Sequence, residues 1–140
     1  MMQIRTFHAA DEGAVVALWD ECGLTRPWND PHKDIARKLE VQSELFLVGT
    51  VDEAVIASVM AGYEGHRGWM NYLAVAPRFR ARGHGRALVE HVERLLLERG
   101  CPKINLQVRA SNPAAVAFYR RLGYAQDESI SLGKRLIVDD

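Results

Sequence analysis

The stretch Arg80-Ala81-Arg82-Gly83-His84-Gly85-Arg86-Ala87 decides how the fold is read, because of what stands on either side of it. Before it, Trp69–Val75 has the apolar, aromatic and β-branched make-up of a strand, and Pro77 follows. After it, Leu88, Val92, Leu95 and Leu96 fall on one stripe of a helix predicted from about Gly83 to Arg99, with Gly100 closing it. A strand, a glycine turn and a long amphipathic helix in that order make a place that can hold phosphate. Glycines allow close backbone approach, the first amides of a helix have no internal partner, and the helix end carries roughly +0.5 of a charge. The arginines add fixed positive charge; for one charge pair at ~4 Å near a surface the attraction is on the order of 4 kcal/mol before desolvation. The other reading of this stretch alone is a solvated turn whose glycines only fit a strand-to-helix connection. The Walker pattern GxxxxGK[ST] is absent, and GxGxxG fails because Leu88 occupies the third glycine position.

Working outward, Gln3–Phe7 alternates as a short strand, and Val15, Leu18, Trp19 and Cys22 recur as one helical face that Gly23 ends. Leu24 to Pro31 is a loop punctuated by Pro27, Asn29, Asp30 and Pro31, followed by a helix from about His32 to Gln42 with Ile35 and Leu39 on one side. Leu45–Val51 and Ala54–Tyr63 read as strands around the two-residue turn Asp52-Glu53, and Gly62 to Gly68 reads as a loop. Downstream, Lys103–Val108 is a strand, and Asn112-Pro113 is an N-cap with a first-turn proline. The helix it opens runs through Leu122 with Ala115, Phe118, Tyr119 and Leu122 on its inner face, and Gly123 closes it. Tyr124–Leu132, Gly133 and Lys134–Val138 read as a terminal hairpin. The predicted order is β-α-α-β-β-β-α-β-α-β-β, an α/β fold with helices on the faces of a mixed sheet, as one domain over residues 1–140.

Composition excludes several classes. The 140 residues are 48% apolar and 26% charged, and at this size a chain buries roughly two thirds of its extended surface without needing metal or disulfide staples. Apolar runs such as Leu45–Val48 and Leu95–Leu97 fall far short of the ~20 residues of a membrane span. The N-terminus has no basic-then-apolar signal, so the expected location is cytoplasmic. Cys22 and Cys101 form no ligand spacing, which fits a reducing compartment and predicts no metal site. With 18 Lys+Arg against 18 Asp+Glu, the chain is not a globally basic nucleic-acid binder. The balance is local: Arg78, Arg80, Arg82 and Arg86 give +4 with no acid among residues 78–86, leaving 14 basic against 18 acidic groups elsewhere.

Two motifs bring these features together. Arg80-x-x-Gly83-x-Gly85, preceded by Leu73-Ala74-Val75, resembles the Q/R-x-x-G-x-G/A loop of the GCN5-related N-acetyltransferases, the GNAT family. Leu106-Gln107-Val108-Arg109-Ala110-Ser111-Asn112-x-x-Ala115-x-x-Phe118-Tyr119-x-x-Leu122-Gly123-Tyr124 resembles that family's second signature, and the element order over the whole chain is also the family's. This signature looks like the bacterial enzymes that acetylate N-termini of ribosomal proteins, whereas Leu24–Pro31 is more similar to small bacterial single-domain members.

The resemblance implies acetyl-coenzyme A as donor, with its pyrophosphate on the backbone of Ala81, Arg82, Gly83, His84, Gly85 and Arg86 beside Arg80. It also implies that backbone groups near Leu73, Ala74 and Val75 meet the pantetheine arm and polarise the thioester carbonyl; alternatively these residues are ordinary strand core. Asn112 is placed by the family at the coenzyme arm and by its position before Pro113 as a helix cap. Tyr119 matches the tyrosine that protonates the departing thiolate. A phenol near pKa ~10 and a thiol near ~8.5 differ by about 2 kcal/mol. The N-terminal-acetylating relatives carry a glutamate base where this chain has Gln107, which cannot take a proton. Glu64 and His66, in the loop before the central strand, are the substitute catalytic bases, or else a polar loop tip. Trp28, Asn29 and Asp30 lie in the loop that forms one wall of the family's acceptor site, although Asp30 also suits a helix cap.

The function implied is acetyl transfer to a primary amine of a small molecule or protein N-terminus, by direct attack in a ternary complex, in a monomer or homodimer. A non-catalytic acyl-coenzyme A sensor or interaction protein on the same fold is the second reading. Arg78–Arg86 as a nucleic-acid contact is the third, disfavoured by its shortness and acidic surroundings.

Overall fold

Apolar residues from Leu45 to Ala61 form the centre of the sheet, because their side chains are covered on both faces. The computed structural model describes residues 1–140. Five strands, β1 (Gln3–Thr6), β2 (Phe46–Val51), β3 (Ala54–Tyr63), β4 (Gly68–Val75) and β5 (Ile104–Leu106), lie in the order β1-β2-β3-β4-β5. All neighbours are antiparallel except β4 and β5, which are parallel. The helices are α1 (Glu12–Glu21), α2 (Pro31–Leu39), α3 (His84–Glu98) and α4 (Pro113–Arg121). No helix is long and apolar enough to cross a membrane.

Met1–Leu106 with Asp139–Asp140 make one compact unit, and Gln107–Val138 a second. In the first, α1 and α3 pack on β3, and Trp19, Ile35, Phe46, Ile56, Leu88 and Leu96 are completely buried. The turn at Asp52-Glu53 takes left-handed φ of 49° and 68° at both residues, the geometry whose twist matches a hairpin, despite the absence of glycine. Helix α2 starts at Pro31 under an Asp30 cap and stops at Leu39 rather than continuing to Gln42. Gln42 instead turns left-handed, and its amide pairs with both backbone groups of Tyr63 at 2.8 Å, in the manner of a strand neighbour. Leu39, expected beside Ile35 on the buried side, is 40% exposed because the helix ends there.

The second unit holds α4 and no strand. The hairpin expected over Tyr124–Val138 is absent, and Ile130, Leu132 and Leu136 are 88%, 90% and 85% exposed. Alternation supplies a face for burial, but a two-stranded hairpin with nothing covering that face is marginal in water. The observed order is therefore β-α-α-β-β-β-α-β-α, shorter by the two terminal strands.

Candidate active site

Strand β4 changes character halfway along. Its register against β3 runs from Gly68 to Asn71 opposite Tyr63 to Met60, then resumes at Ala74 opposite Ser58, so Tyr72 and Leu73 together face the single residue Val59. This is a β-bulge, and Tyr72 sits in it at a left-handed φ of 54°, an uncommon state for a bulky residue. Three contacts hold it there. Its ring stacks on Trp19 at 3.8 Å, its carbonyl accepts the Ser58 hydroxyl at 3.0 Å, and its own hydroxyl donates to Asp34 Oδ2 at 2.7 Å. Ser58 is completely buried and also accepts the Trp19 indole N–H at 2.8 Å, so the one polar side chain inside β3 is satisfied.

On the other side, β5 pairs with β4 only at Gly68, Trp69 and Met70. Beyond Met70 the β4 edge that carries Leu73, Ala74 and Val75 has no strand beside it. Val75 does not present an open carbonyl, however: its oxygen accepts Arg80 Nε at 3.1 Å and the Cys22 thiol at 3.4 Å. The Arg80 side chain thus folds back onto the strand.

The glycine stretch follows directly. Arg80 is extended, Ala81 and Gly83 take positive φ of 62° and 82°, and α3 begins at His84. Asp30 caps α2 by accepting His32 N–H, and Asn112 caps α4 by accepting Ala115 N–H, but Gly83 brings no side chain to the start of α3. The first amides of α3, near His84, Gly85 and Arg86, therefore receive no side-chain cap, no acid lies in that first turn, and a Cβ built on Gly83 would meet only open space. These are the features an anion needs at a helix N-terminus. Arg78 and Arg82 lie over the Phe79 ring at 5.2 and 5.4 Å, and Arg86 pairs with Glu90 at 3.4 Å, all exposed.

Other expected residues lie elsewhere. Glu64 and His66 occupy the tip of the β3–β4 hairpin, which Tyr63 and Gly68 close. From Gly68 to Leu73 and Ala74 the strand runs roughly 17–20 Å, far beyond the reach of a base acting directly or through one water. Glu64 is also engaged: its Oε1 accepts the His66 and Arg67 amides at 2.5 Å, and those hydrogen bonds, Arg67 first, hold its carboxyl below the usual range. Nearness to β4 in sequence does not say which end of the strand is near, and these two residues lie at the end away from the bulge. Trp28 is 55% exposed beside Asn29 in a tight turn closed by Asn29 N–H to Arg26 O at 3.1 Å. Asp30 is the α2 cap, and its own N–H donates to Asp139 Oδ2 at 2.9 Å.

In the second unit, Asn112 acts as the helix cap at 3.1 Å, one of the two roles open to it. Tyr119 packs edge-on against Phe118 and Tyr124, with centroids at 5.0 and 5.7 Å, and burial pushes its phenol up to about 12. Gln107 donates to Ser131 Oγ. Sequence reading passed over Tyr72, Asp34, Arg37 and Asp139; the available signal was Ser58, a serine in the middle of an otherwise apolar strand.

A bulged strand running into an uncapped, glycine-opened helix with arginines around it is an arrangement on an α/β fold that can hold an anion. The sequence matches the acetyltransferase (GNAT) family over residues 9–124. The chain is 51% identical over 138 residues to an acetyltransferase of Yersinia enterocolitica, covering 99% of this chain and 98% of that one. Among solved structures it is similar to the ribosomal-protein-S18-alanine N-acetyltransferase from Escherichia coli, with a TM-score of 0.73 and 28% identity over 88% of this chain and 77% of that one. Ard1 from Thermoplasma volcanium gives the same TM-score, 0.73, at 25% identity over 89% and 82% of the two chains. The chain belongs to the GNAT family and is an acetyltransferase.

Proposed function

We propose that the protein transfers the acetyl group of acetyl-coenzyme A to a neutral primary amine, with an α-amino group preferred, by direct attack in a ternary complex. The observation that carries this reading is the continuity of the β4 bulge with the uncapped start of α3. The amides near His84, Gly85 and Arg86 would hold the pyrophosphate, and the β4 edge at Leu73 to Val75 the pantetheine arm, where an amide of Leu73 or Ala74 polarises the acyl carbonyl. The coenzyme supplies an activated thioester. Occupation of Val75 O by Arg80 means that this guanidinium moves when the arm pairs there.

Tyr119 is assigned as proton donor to the leaving sulfur on its place in the family signature. At about 12 it stays protonated throughout the working pH range. Against a thiol near ~8.5, full transfer of its proton to the free thiolate is uphill by about 5 kcal/mol, so Tyr119 aids departure chiefly by donating a hydrogen bond to the sulfur. With Gln107 unable to accept a proton and Glu64 and His66 at the far end of β4, the acceptor arrives already neutral. A lysine-like amine near ~10.4 costs roughly 4.6 kcal/mol to deprotonate at pH 7, an α-amino group near ~8 only about 1.4.

A panel of amines, amino acids and N-terminal peptides, followed by coenzyme A thiol release and mass spectrometry, tests the reading. Expected are acetylated α-amino products, kcat/KM rising with pH through the acceptor's pKa, and a roughly 10²-fold loss of kcat in Tyr119→Phe with the coenzyme Kd little changed. Tight coenzyme binding with no transfer to any amine would overturn it.

A further inference from the structure

The last two residues of the chain behave unlike the exposed stretch that precedes them. The Asp139 side chain is fully buried, its Oδ1 receiving Arg37 Nη2 at 2.6 Å and its Oδ2 the Asp30 amide at 2.9 Å, while Lys33 Nζ donates to Asp140 O at 3.0 Å. A carboxylate held by a guanidinium and a backbone amide is one of the stronger polar contacts available to a protein. Arg37 also pairs with Asp34 Oδ1 at 3.2 Å, and the other oxygen of Asp34 accepts the Tyr72 hydroxyl at 2.7 Å. From Tyr72 the contacts continue through its carbonyl to Ser58 and from Ser58 to the Trp19 indole. Every link from Asp139 to Trp19 is a hydrogen bond or ion pair between groups within one compact unit.

Tyr72 needs such support. A left-handed backbone at a bulky residue costs on the order of 1–3 kcal/mol, and it persists only where surrounding contacts over-determine it. Stacking on Trp19 fixes the plane of the ring, and Ser58 fixes the carbonyl, but only the hydroxyl bond to Asp34 fixes the far end of the side chain. Burial, and then that bond, keep the phenol protonated well above its ordinary range, so it remains a donor. Asp34 has Arg37 on its other side, and Arg37 is turned toward it with Asp139 as its second anchor.

We propose that Asp139 is a positioning residue for acetyl transfer: through Arg37 and Asp34 it holds the Tyr72 hydroxyl, and thereby the angle at which the β4 bulge presents the Leu73 and Ala74 amides. The inference rests on the reading of that bulge as the seat of the thioester carbonyl. Reaction rates fall by about 10² for a displacement of ~1 Å at such donors, so a partial release lowers kcat by roughly tenfold while the coenzyme KM, set largely by the α3 end, changes little.

The test is a double-mutant cycle in the full chain with Asp139→Asn, which keeps the shape and removes the charge, and Tyr72→Phe, which removes only the hydroxyl. Circular dichroism and melting curves establish that the variants are folded. Each single variant should lose about tenfold in kcat, and the double variant no more than either, because both cut one path. The second readout is the indole N–H resonance of Trp19 in the ¹⁵N-labelled protein without ligand, assigned by its loss in Trp19→Phe. Asp139→Asn should shift it although Asp139 does not touch Trp19, and should leave it unshifted further in the Tyr72→Phe background. Additive losses of kcat, or a Trp19 signal indifferent to Asp139→Asn, would overturn the relay. If the unaltered protein acetylates nothing, the proposed function fails, and the indole cycle alone decides whether Asp139 positions Tyr72.

Discussion

Residues 46–63 and residues 124–138 both read in the sequence as two strands around a short turn, and meet opposite fates. The first becomes the β2–β3 hairpin, with Phe46, Val48, Ile56 and Val59 completely buried. The second forms no strand, and its Ile130, Leu132, Leu136, Ile137 and Val138 stay in water. Turn chemistry does not account for this, since Asp52-Glu53 folds in a backbone state that suits glycine better while Gly133 sits in a tail without a hairpin. Cover does. The first hairpin has strands on both sides and α1 and α3 packed on β3, whereas the second unit has only α4. A strand's free energy comes chiefly from what packs on its faces and pairs with its edges.

Truncating the cover should therefore cost most. Trp19→Ala removes a fully buried indole from β3 and leaves the Ser58 hydroxyl without its donor, and a loss of about 3–5 kcal/mol is expected in urea unfolding. A loss under ~1 kcal/mol would mean that the first region does not depend on α1. Next in size is the anchor of β1, where Arg5 grips both oxygens of Asp11 at 2.8 and 3.0 Å and the His8 amide donates to the same carboxylate. The Arg5 hydrogen bond, followed by that of His8 once burial is set against them, holds the Asp11 carboxyl below its ordinary value. A carboxyl whose folded pKa lies below its unfolded ~3.9 contributes stability that is present above about pH 4 and is lost as pH falls through the folded value. Asp11→Asn should cost about 1–3 kcal/mol at pH 7 and flatten the stability profile below pH 4, as measured by melting across pH. An unchanged acid limb would show that the pair is not what the pH dependence reports. Smallest is the tail: Leu132→Ser should change stability by less than ~0.5 kcal/mol, because the side chain is already in water. A loss above ~1 kcal/mol would erase the contrast, since it would require the tail to be covered in solution.

The same contrast explains which site residues could be read in advance. The glycine stretch, the Asn112 cap and the family signature around Tyr119 were legible because each depends on neighbours within about one helical turn. The position of Glu64 and His66 was not legible, because a hairpin tip adjoins β4 in sequence while lying a strand's length from its bulge. Leu39 and the terminal hairpin were misread for a related reason: periodicity names the face that would be buried, not whether anything arrives to bury it.

By itself, the sequence determined the helices that open and close on local caps, the strand-to-helix glycine turn, and the family to which the chain belongs. Those depend on backbone sterics and short-range hydrogen bonds, which a few adjacent residues specify. The tertiary structure alone decided that Tyr72 sits left-handed in a bulge, that Ser58 joins it to Trp19, and that Asp139 reaches Arg37 across 102 positions. Such contacts join residues distant in the chain, and their energy exists only once the sheet has brought both partners out of water.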